Sequence, residues 1–383
     1  MGVTHITSVE WATLEGHRPR SAGCNARLGV HGGITRVPIV RVTDSDGMQG
    51  VGASWAKGEK AQRILGMELN QLFLSDQGVA EAWLDFDYPL WDLHCKRTGQ
   101  PVYVAAAQIT GRTPITSLSA PCYDTSLYID DLEQTTDEAA SQLMADEVRQ
   151  GLARGHRAFK VKIGRGARHM PLAAGTARDI AVIRAVRETT GSQATLMLDA
   201  NNGYNLNLAK DVLDATHDCD IFWLEEPFHE DGELYRDLKG WMVKRGLRTL
   251  IADGEGEAST RLLEWAHQGL VGAIQYDILG HGFTRWLRTG RQLDAWEVLS
   301  APHHYGNGYG NYAACHLAAA IKHFAAVEWD ETDIPGLSAP GYSIENGRCN
   351  VPPHAGFGIE LDDDLFQHAV RSTGGRLSLG GNT

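Results

Sequence analysis

Between residues 116 and 334 one pattern recurs: a short apolar run, a polar junction, then an amphipathic stretch with helical spacing. The runs lie at 121–127, 158–163, 195–200, 221–226, 249–255, 273–279, 298–303 and 325–330. The helical stretches lie near 133–154, 175–190, 207–217, 233–245, 260–268, 283–295 and 312–323. Eight strands alternating with helices predict an α/β chain built on a (β/α)8-type barrel. A doubly wound sheet is the rival. It usually has fewer strands and a glycine-rich phosphate turn after the first, and no such turn is present.

The flanks read differently. Residues 1–115 read as a mixed α+β module, with a strand at 37–43, a turn at 44–47, an extended run at 49–52 and helices near 60–75 and 79–97. The stretch 15–33 has little periodicity and many glycines and arginines, which predicts a loop able to act as a lid. The tail, 335–383, is rich in Gly and Pro and is expected to return to the first module, leaving 116–334 as the catalytic barrel.

Composition removes several function classes. The 383-residue chain carries a net charge of −13, which argues against nucleic acid or an anionic membrane as partner. No basic segment followed by an apolar run opens the sequence, and no stretch of about 18 apolar residues occurs. The six cysteines are scattered without a C-x-x-C, so reduced buried thiols in a cytoplasmic protein are expected.

Barrel chemistry collects at the C-terminal ends of the strands. Along the second run, Lys160 and Lys162 share one face, with Phe159, Val161 and Ile163 on the other. Later runs end in Asp199 and Asn201, Glu225 and Glu226, Asp253 and Glu255, Asp277, His303 and His304, and Glu328. Clustered carboxylates repel one another unless a cation neutralises them. Asp199, Glu225 and Glu255 come from successive β/α units and offer hard oxygen donors, which suit Mg²⁺. Each acid taken alone could equally cap a helix. Asp253 and Glu255 have the same parity, with Glu255 further toward the rim. Glu226 has the opposite parity to Glu225 and reads as a structural partner of a helix.

Taken in order, Lys-x-Lys, Asp-Ala-Asn, Glu-Glu-Pro, Gly-Glu, Gln-x-Asp and a late Pro-His resemble the enolase superfamily, and within it the mandelate racemase group with its acid-sugar dehydratases. The resemblance covers nearly the whole chain, including a C-terminal Gly-Arg-Cys-Asn-Val-Pro-Pro followed by Gly-Phe-Gly. It implies that Asp199, Glu225 and Glu255 hold Mg²⁺. It implies that Lys162 is a general base, kept neutral by the charges of Lys160 and the metal, and that Lys160 polarises the substrate carboxylate. It further implies that Asp277 and His303 form an acid/base dyad. Glu328 would donate a hydrogen bond from its protonated form or help hold the carboxylate. The reaction implied is removal of the proton next to a carboxylate, which a cation on that carboxylate makes accessible.

Dehydratase and racemase share that first step. Arg18, Arg20, Asn25, Arg27 and His31 in the capping stretch, with Arg165, Arg168 and His169 after the second strand, make a polar set suited to a polyhydroxylated acid rather than an aromatic one. Asn201 is counted with them. His304 either reaches the substrate or caps the following loop. This favours an aldonate or aldarate dehydratase giving a 2-keto-3-deoxy acid, and a second carboxylate would account for several arginines at once. A racemase or epimerase of a hydroxy or amino acid is the runner-up, and a non-catalytic metal- and ligand-binding barrel the remote alternative. A homo-oligomer is expected from the family.

Overall fold

The structure is a computed structural model and describes residues 4–380. Its first strand corrects the reading of 15–33 as a loop. Strand β1 (Ile6–Ala22) pairs antiparallel with β2 (Gly32–Asp44), with Glu15 opposite Arg36 and His17 opposite Ile34. Only the connection between them, 23–31, is irregular. The inward positions of this half of β1 are Gly16, Arg18 and Arg20, so the period-2 signal that apolar residues usually carry was missing. β3 (Gln49–Ala53) completes the antiparallel sheet. Helix α1 (Asp87–Thr98) packs directly on β3 because Gly50 and Gly52 leave room. A Cβ on Gly50 would lie 2.1 Å from the Pro89 carbonyl oxygen. Helix α2 (Val102–Thr110) follows, where no element was expected.

All eight expected barrel strands are present. They are β4 (Leu118–Leu127), β5 (Ala158–Lys162), β6 (Thr195–Asp199), β7 (Ile221–Glu225), β8 (Leu250–Asp253), β9 (Ala273–Ile274), β10 (Leu299–Ser300) and β11 (Val327–Trp329). They pair in parallel in chain order from β4 to β10, and β11 pairs with β4. A bridge between Ser300 and Phe324 links β10 to the entry of β11 and closes the ring. The later strands are shorter than their apolar runs. After Ile274 the chain leaves the ladder, and Asp277 caps the short helix Ile278–His281.

Helices α3 (Asp137–Ala153), α4 (Leu172–Thr190), α5 (Leu206–Ala215), α6 (Gly232–Arg245), α7 (Leu262–His267), α8 (Phe283–Ala295) and α9 (Gly308–Ala320) occupy the connections between strands. The main apolar core lies between strands and helices. A smaller inner layer fills the barrel: Tyr123, Met197 and Trp223 supply the bulk, and alanines at 252, 273, 301 and 326 make space for them. This layer plugs the barrel below the strand ends. The tail divides. Arg348–Val351 joins β4 antiparallel, whereas Asp363–Thr373 forms a helix on β1 and Gly375–Ser378 pairs with β1. All six cysteines are free and buried. No helix among the described residues is long and apolar enough to cross a membrane.

Candidate active site

The parallel register sets the site. Lys162 lies opposite Asp199 on β6, and Asp199 lies opposite Glu225 on β7. Glu255 follows Gly254, whose φ of 125° turns the chain after β8 back over the barrel mouth. Asp199, Glu225 and Glu255 each offer a carboxylate oxygen within 4.8 Å of the other two. Asp199 and Glu225 are buried and Glu255 is half-buried. Glu225 Oε2 accepts hydrogen bonds from Gln275 Nε2 at 2.7 Å and Trp223 Nε1 at 3.2 Å, which fix its orientation. Glu255 Oε2 is buried and faces His303 Nε2 at 3.2 Å. Three converging carboxylates fit a hard divalent cation, and Mg²⁺ accepts such a set with water filling its remaining positions.

The two lysines divide their work. Lys160 is buried under the triad, with its ammonium 2.8 Å from Glu225, 2.7 Å from Glu328 and 3.5 Å from Asp199. Its donors are consumed by protein carboxylates, so it does not present itself to a substrate carboxylate as expected. Lys162 sits higher, donates to Asp199 and lies over the Tyr128 ring at 5.7 Å. Burial lowers the Lys162 ammonium most, but Asp199, Glu255 and Glu225 together outweigh it and hold the group above the ordinary lysine value. The expected depression is present only as the opposing influence of Lys160.

At the other end of the triad His303 Nδ1 contacts Asp277 Oδ2 at 3.0 Å, and Nε2 lies 3.2 Å from Glu255 Oε2. Burial disfavours the imidazolium, yet Glu255, Glu328 and Asp277 together lift His303 to about 10. Asp277 also accepts from the Leu279 and Gly280 N–H groups, so the carboxylate that orients the His303 ring is fixed by backbone. Glu328 corrects a second expectation. It accepts from Thr125 at 2.6 Å and from the His304 N–H at 3.0 Å and pairs with Lys160. Burial would raise it, but Lys160, His303 and Lys162 hold it far below the usual carboxylate range, so it is an acceptor rather than a protonated donor.

The residues expected to bind substrate scatter. Arg165 is fully buried and pairs with Asp131 at 2.5 Å and Asp179 at 2.8 Å, below the strand end. Arg20 contacts Glu147, Asp130 and the Ser126 carbonyl. Asn25 caps its own loop at Arg27 and Leu28, and the His169 ring contacts the Asn25 carbonyl. Asn201 bonds Glu226 and Glu255, both at 3.3 Å, so it braces the triad. His304 is fully buried against Gly310, where a Cβ would fall 2.3 Å from its Nδ1. Arg18 and His31 do approach the barrel mouth, beside Tyr305. Arg27 is exposed and shares a cleft with Glu226, Glu230 and Glu257.

Other residues of the site were not singled out. Tyr128 and Tyr305 flank Lys162 and Arg18, and Asp330 clamps Arg18. Nothing in their spacing marks them. Glu226 was misread because alternation was assumed to continue. Its φ of 40° turns the carboxylate back to Asn201, and burial with Glu255 nearby lifts it to about 8. Asp253 accepts from Tyr235 at 2.6 Å and stands outside the triad.

The sequence model of the family described as "Enolase C-terminal domain-like" matches residues 143–365. The chain belongs to the enolase superfamily. A galacturonate dehydratase from Geobacillus sp., solved with D-galacturonate and 5-keto-4-deoxy-D-galacturonate, is 47% identical with a TM-score of 0.93, covering 98% of this chain and 99% of that one. A mandelate racemase/muconate lactonizing protein from a Geobacillus strain, solved with magnesium and tartrate, is 48% identical with a TM-score of 0.95, covering 99% and 98%. Arabinonate dehydratase of Saccharolobus solfataricus is 26% identical over 300 residues, which is 76% of this chain and 73% of that protein. This enolase-superfamily chain thus sits among sugar-acid enzymes, with relatives solved around magnesium.

Proposed function

We propose that the protein is a Mg²⁺-dependent acid-sugar dehydratase. The observation that carries the reading is geometric: Lys162 and the His303–Asp277 pair flank opposite ends of one carboxylate triad, at Asp199 and at Glu255. This chain is also nearly half identical to a galacturonate dehydratase over its whole length. Mg²⁺ held by Asp199, Glu225 and Glu255 would supply charge stabilisation for an enediolate formed from the substrate carboxylate.

The protein's own groups do the rest. Lys162 takes the α-proton from its neutral amine form, which burial and Lys160 behind it favour and Asp199 beside it opposes. His303, a cation at neutral pH, delivers a proton to the departing β-hydroxyl, which leaves as water. Asp277 keeps the ring oriented through both halves of the exchange. The enol that remains ketonises to a 2-keto-3-deoxy acid, counted from the carboxylate. A 5-keto-4-deoxy product is the same functional pattern counted from the other end. A panel of sugar acids with Mg²⁺, read for 2-keto product and by solvent deuterium at the α-carbon, tests the reading. Dehydrated product supports it. Deuterium incorporation without loss of water on every responsive acid assigns the site to a racemase instead.

A further inference from the structure

We propose that the substrate is a mono-acid whose far end is neutral and hydroxylated, and that Tyr305 and His31 read that end. The inference rests on the acid-sugar dehydratase reading and settles which acids it takes.

The first argument is an inventory of charge. A second carboxylate needs an unspent cation, since a buried unpaired charge is costly. Arg18 lies between Tyr305 and β2 at the barrel mouth, and it is spent. Its Nε and Nη2 pair with the two oxygens of Asp330 at 3.1 and 2.9 Å, its Nη1 reaches the Gly32 carbonyl, and its face covers the Tyr305 ring at 4.5 Å. Arg20 and Arg165 are each held by two carboxylates. Lys160 and Lys162 serve the triad. Arg27 remains exposed, but the acids Glu226, Glu230, Asp253, Glu255 and Glu257 line its cleft and outnumber it.

The second argument is donor and acceptor matching. The Tyr305 hydroxyl is buried, with the Tyr128 hydroxyl beside it but no partner at full hydrogen-bond geometry. The His31 ring stands edge-on to it, with centroids 5.4 Å apart. His31 Nδ1 lies 2.8 Å from the Gly23 carbonyl, which can only accept, so the proton is on Nδ1 and Nε2 keeps a lone pair. Burial, with Lys162 and Arg18 nearby, keeps that ring neutral. A phenol donor beside an imidazole acceptor suits a hydroxyl, which does both. A carboxylate would face the lone pair of Nε2 with its own. Asp330 is a positioning residue here: it cancels Arg18 and also accepts from the Gly306 N–H, fixing the loop that carries Tyr305.

Matched acids of one carbinol configuration test this. D-Galacturonate, L-galactonate and galactarate differ only in the terminus remote from the reacting carboxylate: aldehyde, alcohol or carboxylate. The same triplets are run in the other configurations. The wild type is expected to favour a mono-acid over its matched di-acid by about 100-fold in kcat/KM. Asp330→Asn keeps an acceptor for Gly306 and releases the Arg18 charge, so the di-acid to mono-acid ratio should rise about tenfold. Tyr305→Phe should raise KM for mono-acids about tenfold and leave the di-acid unchanged. Wild-type turnover of a di-acid as fast as its mono-acid partner overturns the proposal, whether or not either variant folds. A protein that dehydrates no acid in any triplet overturns the dehydratase reading, and this inference with it.

Discussion

Replacing Arg165 by Met should cost stability and leave substrate affinity nearly unchanged. The guanidinium has no exposed surface. Its Nε lies 3.0 Å from both oxygens of Asp131, Nη2 lies 2.5 Å from one of them, and Nη1 lies 2.8 Å from Asp179. Asp131 would keep Arg178 at 3.9 Å, and Asp179 the Tyr204 hydroxyl, the Gly164 N–H and, at 3.4 Å, the backbone N–H of residue 165. Stranding buried carboxylates in this way costs about 3–5 kcal/mol. For a chain of 383 residues, with an unfolding entropy of about 2 cal/mol/K per residue, that lowers the melting temperature by about 5 °C. Thermal melts at one scan rate and steady-state kinetics read the two effects separately. Asp131→Asn added to the Met variant should recover about 1–2 kcal/mol by neutralising one stranded charge. KM should stay within about threefold of wild type. An unchanged melting temperature with a tenfold rise in KM would refute the reasoning and return Arg165 to the substrate.

Other outcomes follow from the same geometry. Lys162→Ala and His303→Asn should each lower kcat by about 10²–10⁴-fold, while calorimetry still finds Mg²⁺ binding; near-wild-type turnover would dismiss the acid/base pair. EDTA should abolish activity and lower the melting temperature, and saturating Mg²⁺ should restore about 3 kcal/mol at a hundredfold excess over Kd; turnover without a divalent ion would remove the triad from the mechanism. His316 is buried, accepts from the Tyr103 N–H and is lowered by burial to about 3. Its contribution is therefore complete above the ordinary value of 6.5 and is lost as pH falls toward about 3, up to about 5 kcal/mol. Urea midpoints against pH for wild type and His316→Gln should converge at acid pH, and parallel curves would disprove it. Gly50→Ala should cost about 1–3 kcal/mol, read by the same melts, because its Cβ meets the Pro89 carbonyl at 2.1 Å.

The barrel was legible because each strand is a buried apolar run and each helix an amphipathic stretch, so period alone separates them. Asp199, Glu225, Glu255, Asp277 and His303 were found by standing at strand ends, and the structure brings them together. The failures share a cause. Burial and charge pairing are invisible in one sequence, so Arg165 and Arg20 looked available when each is already held by two acids. β1 was hidden because arginines and a glycine fill its inward face. Glu226 was lost to one left-handed residue. Tyr305 and Asp330 matter through contacts with a strand some 300 residues away in the chain, as the Arg18–Asp330 separation of 312 shows.

The lysine pair can now be weighed against the acids around it. With every group ionised, Asp199, Glu225, Glu255, Asp277 and Glu328 give five carboxylates and Lys160, Lys162 and His303 three cations, an excess of two negative charges. Glu226 adds little near pH 7, being lifted to about 8. One divalent ion balances that excess, and hard oxygen donors select Mg²⁺ over softer metals. A mono-acid then brings one negative charge, which the enediolate doubles. Lys160 cannot answer that charge, because its donors are spent on Glu225 and Glu328. Its effect is indirect: it holds Glu328 ionised, which with Glu255 and Asp277 keeps His303 charged, and it pushes Lys162 toward the neutral amine. The buried lysine thus biases the two groups in opposite directions, one toward acid and one toward base, and that difference is what an elimination needs.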